Sequence, residues 1–177
     1  MIMRILDKLS SFRMARTVLA AVAFIYMTLV VFNNITDFST NRAFVEHVLS
    51  MDTTFKSPNT MWRAITSQSW ALVAYVAIIA WEALTAIALG IGFVAGIRSV
   101  AADRDIATAR RVSVLGWLMM VLLFGVGFIG IGGEWFEMWQ SQDWNGLQPA
   151  VYNFIIASVG LIVGLLDPDR ARQTTST

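Results

Sequence analysis

Four long apolar stretches alternate with short polar segments along the 177 residues of this chain, at 17–33, 69–97, 112–132 and 147–166. A helix needs about 20 residues to cross a hydrocarbon core about 30 Å thick, and each stretch approaches or exceeds that length. The pattern predicts an all-α membrane protein: a single domain over 1–177, with four transmembrane helices and two polar segments, 34–68 and 133–146, on one side of the bilayer. Arg4, Lys8, Arg13 and Arg16 precede the first stretch as in a signal peptide. Its far end, Val31-Phe32-Asn33-Asn34, lacks a small-x-small cleavage pattern, so it reads as a retained helix.

The polar segments carry patterns of their own. From Ser39 or Thr40 to Met51, Phe44, Val45, Val48 and Leu49 fall on one helical face, with Arg42 and Glu46 four apart on another. Ser57 or Asn59, beside Pro58, predicts the start of a helix running through Trp62 into the second span, which would then project beyond the bilayer. After the third span, the run from Gly132 to Gln140 predicts an interfacial helix, with Trp135 and Trp139 on one side and Glu134, Glu137 and Ser141 on the other. Asn145-Gly146 turns the chain and Pro149 opens the fourth span. These segments are expected to form short amphipathic helices that make a periplasmic cap.

Charge orients the bundle. Arg4, Lys8, Arg13, Arg16, Arg98, Arg104, Arg110, Arg111, Arg170 and Arg172 lie on one side, and only Arg42, Lys56 and Arg63 on the other. Basic residues stay cytoplasmic, so both termini and the loop at 98–111 are expected in the cytoplasm and the other segments in the periplasm. The tail from Gln173 to Thr177 is expected to be disordered. Composition agrees with a membrane protein: 56 % hydrophobic and 14 % charged, where soluble chains are about a quarter charged. With no cysteine and one histidine, the chain has no thiolate site and cannot supply two histidines to a haem. No cofactor is indicated, and nothing points to nucleic acid.

Glu82 is the acid inside a span, near the middle of the second helix. Such a residue is costly in hydrocarbon, so it reads either as a proton-handling or partner-binding group, or as a protonated Glu hydrogen-bonded to Tyr26 or Ser158 for packing. His47, with Asp52, Glu134 and Glu137, has the ligand types of a transition-metal site if the two outer segments meet, although no two-ligand helical motif is present. A hydrogen-bonded structural histidine is the simpler reading. Trp62, Trp70, Trp135, Trp139 and Trp144 form an aromatic belt, or the walls of a headgroup pocket. Gly90-Ile91-Gly92 and Gly130-Ile131-Gly132-Gly133 lack the strand a nucleotide loop requires, whereas Gly92-x-x-x-Gly96 and Gly160-x-x-x-Gly164 have helix-packing spacing. Asn34-Ile35-Thr36 matches a glycosylation sequon close to the membrane, and no nucleophile elbow accompanies the one histidine.

The runs Asn33–Asp37, Phe44–Phe55, Gly132–Phe136, Met138–Ser141 and Trp144–Gly146 resemble a bacterial family of predicted small integral membrane proteins, domain of unknown function 2165, over essentially the whole chain. The resemblance implies a bacterial inner membrane, four spans and a distinctive outer face, but no reaction. Its motif residues correspond to His47, Asp52, Trp62, Arg63, Glu82, Glu134, Trp135, Trp139, Trp144 and Asn145.

The resulting expectation is a non-catalytic subunit or scaffold in the lipid bilayer. It docks a larger membrane or periplasmic protein partner, or a second copy, through the periplasmic cap. His47, Asp52, Trp62, Arg63, Glu134, Trp135, Glu137, Trp139, Trp144 and Asn145 are the candidate binding residues, with Arg63 paired to a carboxylate. The alternative is a small ligand- or ion-handling protein (proton, metal, quinone or lipid) using Glu82 and the His47 cluster. A lipid-modifying enzyme working at that cluster is a third reading.

Overall fold

A computed structural model describes residues 2–102 and 107–166, which contain helices and no strand. Arg104, Arg170, Arg172 and the tail expected to be disordered, Gln173 to Thr177, lie outside the described residues. A short α1 (Ile2–Leu9) is followed by α2 (Phe12–Thr36), α3 (Phe38–Ser50), α4 (Gln68–Ala102), α5 (Ala107–Trp135) and α6 (Leu147–Leu165). The four helices α2, α4, α5 and α6 are long and apolar enough to span a membrane. They form an up-and-down ring in which α2 packs on α4, α4 on α5 and α5 on α6, while α2 meets α6 only sparsely. Both described chain ends, the end of α4 at Ala102 and the start of α5 at Ala107 lie at one end of the bundle, the terminal end. The segments 37–67 and 136–146 lie at the other, the loop end.

Small residues set how closely the helices approach. A Cβ at Gly96 would stand 2.5 Å from Thr17 Oγ1, one at Gly116 2.7 Å from Leu89, and one at Gly160 2.5 Å from the Trp117 ring. Gly92 is closed off in the same way by Ser113. The glycine pairs expected to serve packing therefore do so. Met27, Leu89, Trp117, Met120, Phe124 and Ala157 fill the core between these contacts.

Helix α5 changes its winding partway along. It is α-helical over Ala107–Val121 and π-helical over Leu122–Trp135, closing with Phe136 N–H on Ile131 O at 2.9 Å. Gly125, Gly127, Gly130, Gly132 and Gly133 fall in the widened part. Residues without a Cβ accommodate an i to i+5 ladder that bulkier ones resist. Trp81 Nε1 donates to Met119 O at 3.0 Å just ahead of the change.

Two expected helices do not form. No helix runs from Ser57 or Asn59 into the second span: a single 3-10 turn at Met61–Arg63 gives way to extended chain, which Ile65 N–H pins to Leu49 O at 2.8 Å. Ser67 Oγ instead meets Trp70 N at 3.5 Å at the start of α4. The interfacial helix expected over Gly132 to Gln140 is also absent. The π segment ends at Trp135, Glu137 takes a left-handed conformation (φ 55°), and one 3-10 turn, Met138–Gln140, follows. In contrast α3 forms as the periodicity predicts, with Arg42 Nη2 and Glu46 Oε1 2.7 Å apart.

Register sets what stands beside Glu82. Thr17 is level with Gly96 and Asn34 with Glu82, so α2 and α4 run antiparallel in step. From Gly96 to Glu82 the helix rises about 21 Å. Glu82 falls near the middle of α4, as expected, and this 35-residue helix overhangs its partner at the loop end.

Candidate functional site

Beneath the loop end lies a chamber of about 260 Å³ between α2, α3, α4, α5 and α6. Glu82, 2 % exposed, stands in its wall, and its Oε2 accepts from Asn34 Nδ2 at 2.7 Å. That bond replaces the expected partners: Ser158 Oγ donates to Phe154 O, and Tyr26 lines the same chamber without bonding the carboxylate. Asn34 is the hydrogen-bond partner of Glu82 among the described residues. The amide is thereby committed inside the bundle, contrary to use of the Asn34 sequon as a glycosylation site. Tyr75, buried on α4, donates to Asn34 O at 2.7 Å and braces the same residue.

Asn41, Asn153 and the two tyrosines complete the polar lining. Asn153, 9 % exposed, makes no side-chain hydrogen bond to another described residue. No Lys, Arg or His lines the chamber among the described residues, and Glu82 is the one acid in its lining. A neighbouring apolar chamber of about 220 Å³ shares Phe44, Val45, Ile78 and Phe128 with it and extends under α3 to the π segment at Gly127 and Gly132. The void at the terminal end is only about 20 Å³, the size of a single water.

Tyr26, 40 % exposed, and Val30 line the chamber from α2, and Pro149 and Asn153 from α6. These two helices pack sparsely, clasped at the terminal end by Arg16 Nε on Val163 O at 3.1 Å. The chamber therefore lies along the weakest seam of the ring.

Above the chamber the two loop-end segments bind each other. Thr53 Oγ1 donates to Ser141 Oγ (2.8 Å), Phe55 N–H to Gln140 Oε1 (2.8 Å) and Thr60 Oγ1 to Glu137 Oε2 (3.1 Å). His47 bonds Asp52 through Nδ1 (2.8 Å) and stacks on Trp144, ring centroids 4.4 Å apart. A polar cleft of about 210 Å³ adjoins them, lined also by Glu46 and Ser67. Among the described residues Arg63 reaches no carboxylate, contrary to expectation. Nη1 donates to Trp135 O at 3.4 Å, and its guanidinium lies 5.6 Å and 4.8 Å from the Trp62 and Trp135 rings, a stacking that the planar group favours. Asn145 ties Trp139 O to the start of α6 through both ends of its amide. Glu134 is exposed, and Glu137 is held on Thr60 apart from the His47 pair. The four proposed metal ligands are thus not gathered: among the described residues no three His, Asp or Glu side chains are placed to hold a metal.

The site's core was only partly visible beforehand. Glu82 stood out, but Asn34, Asn41, Tyr75 and Asn153 did not. Three of these are polar interruptions in or beside an apolar stretch, which is the signal that pointed to Glu82.

The family described as predicted small integral membrane protein (DUF2165) matches residues 12–167. No curated protein and no solved structure matches the chain. The match takes in all four long helices, both loop-end segments and every residue of the Glu82 chamber, so this chain belongs to the DUF2165 family of small integral membrane proteins.

Proposed function

We propose that this protein is a ligand-handling protein of a bacterial inner membrane, with both termini cytoplasmic, the loop end capping it on the periplasmic side, and the Glu82 chamber as its binding site. The observation that carries this reading is a buried carboxylate, held on one oxygen by Asn34, in the wall of a chamber that Asn41 and Asn153 also line. A cell keeps such a group in a membrane segment at an energetic cost that packing alone does not repay. The adjoining apolar chamber and the loose α2–α6 seam suit a molecule that arrives through the bilayer. Binding is the role assigned to the Glu82 chamber.

Access tests it. The chain has no cysteine, so Asn153→Cys introduces a single thiol in the chamber wall and Ala157→Cys one a turn away in the sealed core (0 % exposed). N-ethylmaleimide should label the first at least tenfold faster than the second, and membrane extract should slow it. Equal, negligible labelling of both contradicts an open chamber.

A second reading, docking of a larger membrane or periplasmic partner through the cap, is favoured by the exposure of Phe55 (72 %) and Trp62 (71 %) beside Trp135 and Trp139. Replacing Glu134 and Trp135 together should then abolish partner association while the bundle still inserts, and Glu82→Gln should leave association intact.

A further inference from the structure

Resting on the ligand-handling reading, we infer that the chamber's ligand carries an organic ammonium group. Five aromatic rings line it, Tyr26, Phe44, Tyr75, Phe124 and Phe128, drawn from α2, α3, α4 and α5, with the Glu82 carboxylate among them. Phe124 and Phe128 stand with centroids 5.6 Å apart, forming one continuous wall. Ring faces are negative and attract a cation within about 6 Å of the centroid, and boxes of such rings are the usual means of holding alkylated ammonium groups. The carboxylate supplies the counter-charge that a desolvated cation needs.

The lining disfavours anionic headgroups and bare metal ions. A phosphate, sulfate or carboxylate would meet Glu82 with no Lys, Arg or His in the lining to offset the repulsion. A bare metal ion would find one carboxylate and amide or hydroxyl groups, with no second acid or histidine among the lining residues. A volume of about 260 Å³ suits a small alkylammonium, below the range typical of drug-sized sites. The apolar chamber that shares Phe44 and Phe128 leaves room for a hydrocarbon substituent.

The test compares choline with its uncharged isostere 3,3-dimethylbutan-1-ol, using the full-length protein in lipid nanodiscs and saturation-transfer NMR on the ligand methyl protons. Choline should bind at least about tenfold more tightly than the isostere. Glu82→Gln, which retains an acceptor for Asn34, should remove that preference. Tyr26→Leu changes a half-exposed wall residue and should weaken choline severalfold without unfolding the protein. Hexyltrimethylammonium distinguishes the source. Tighter binding than tetramethylammonium identifies a membrane-borne amphiphile and equal binding a free small molecule, and either upholds the ammonium assignment. Equal binding of choline and its isostere overturns that assignment while leaving the chamber a ligand site. Saturation transfer to neither compound, with the Asn153→Cys thiol still reactive, overturns it too, and only an unreactive thiol counts against the site itself.

Discussion

Asn34 and Glu82, 48 residues apart in sequence, meet through Nδ2 and Oε2 at 2.7 Å. The bond joins α2 to α4 and fixes a carboxylate inside the bundle. Removing the donor should therefore be costly. Asn34→Ala leaves a buried acceptor without its partner and should destabilise the protein by about 1–3 kcal/mol. In a double-mutant cycle with Glu82→Leu, the two losses should fall well short of additive. Thermal unfolding in detergent reads both effects, and full additivity would show that the pair does not couple.

Close approach of α5 and α6 depends on Gly160. A methyl group there would stand 2.5 Å from the Trp117 ring. Gly160→Ala should cost about 1–3 kcal/mol through overpacking. Gly127 faces the apolar chamber, and its nearest Cβ contact is Leu123 at 3.9 Å. Gly127→Ala should be the milder change in the same unfolding assay, and a reversed order would contradict the packing described.

The two loop-end segments should be joinable covalently. Thr53 Oγ1 and Ser141 Oγ lie 2.8 Å apart, and the chain has no cysteine to compete. Side-chain tips this close suit the short Cβ–Cβ span of a disulfide. The Thr53→Cys, Ser141→Cys variant should oxidise almost completely under mild conditions, visible as a shift on a non-reducing gel. Two thiols that stay free would show that the segments do not pack together.

Arg63 should not tolerate lysine. Its planar group lies against Trp62 and Trp135 and donates to Trp135 O, a geometry an ammonium cannot reproduce. Arg63→Lys should cost about 0.5–1 kcal/mol and shift the tryptophan emission. Unchanged stability and emission would place Arg63 outside the structure's support.

Much of this architecture was legible before any coordinates. Span length and hydropathy marked the four helices, the face pattern of Phe44, Val45, Val48 and Leu49 marked α3, and the spacing of Gly92, Gly96, Gly160 and Gly164 marked the close contacts. These signals are local, set by helical period and side-chain size. What stayed hidden depends on distant parts of the chain. The partner of Glu82 follows from the register of α2 against α4. The missing helix before α4 follows from a backbone bond between Ile65 and Leu49. The missing helix after α5 follows from the left-handed turn at Glu137, where the propensity of Glu134 to Gln140 yields to the hydrogen bonds Thr60 and Phe55 make with Glu137 and Gln140. Within the site, a single Asn in an apolar run carries no mark of which neighbour it faces, so Asn153 passed unnoticed.

The most direct test of the Glu82 chamber as a binding site is native mass spectrometry of the protein released from its own membranes, comparing wild type with Glu82→Gln. The account predicts a small molecule of defined mass on the wild-type protein and its loss from the variant, with both proteins equally folded. A wild-type protein that carries nothing beyond the bulk lipids seen on the variant would contradict it.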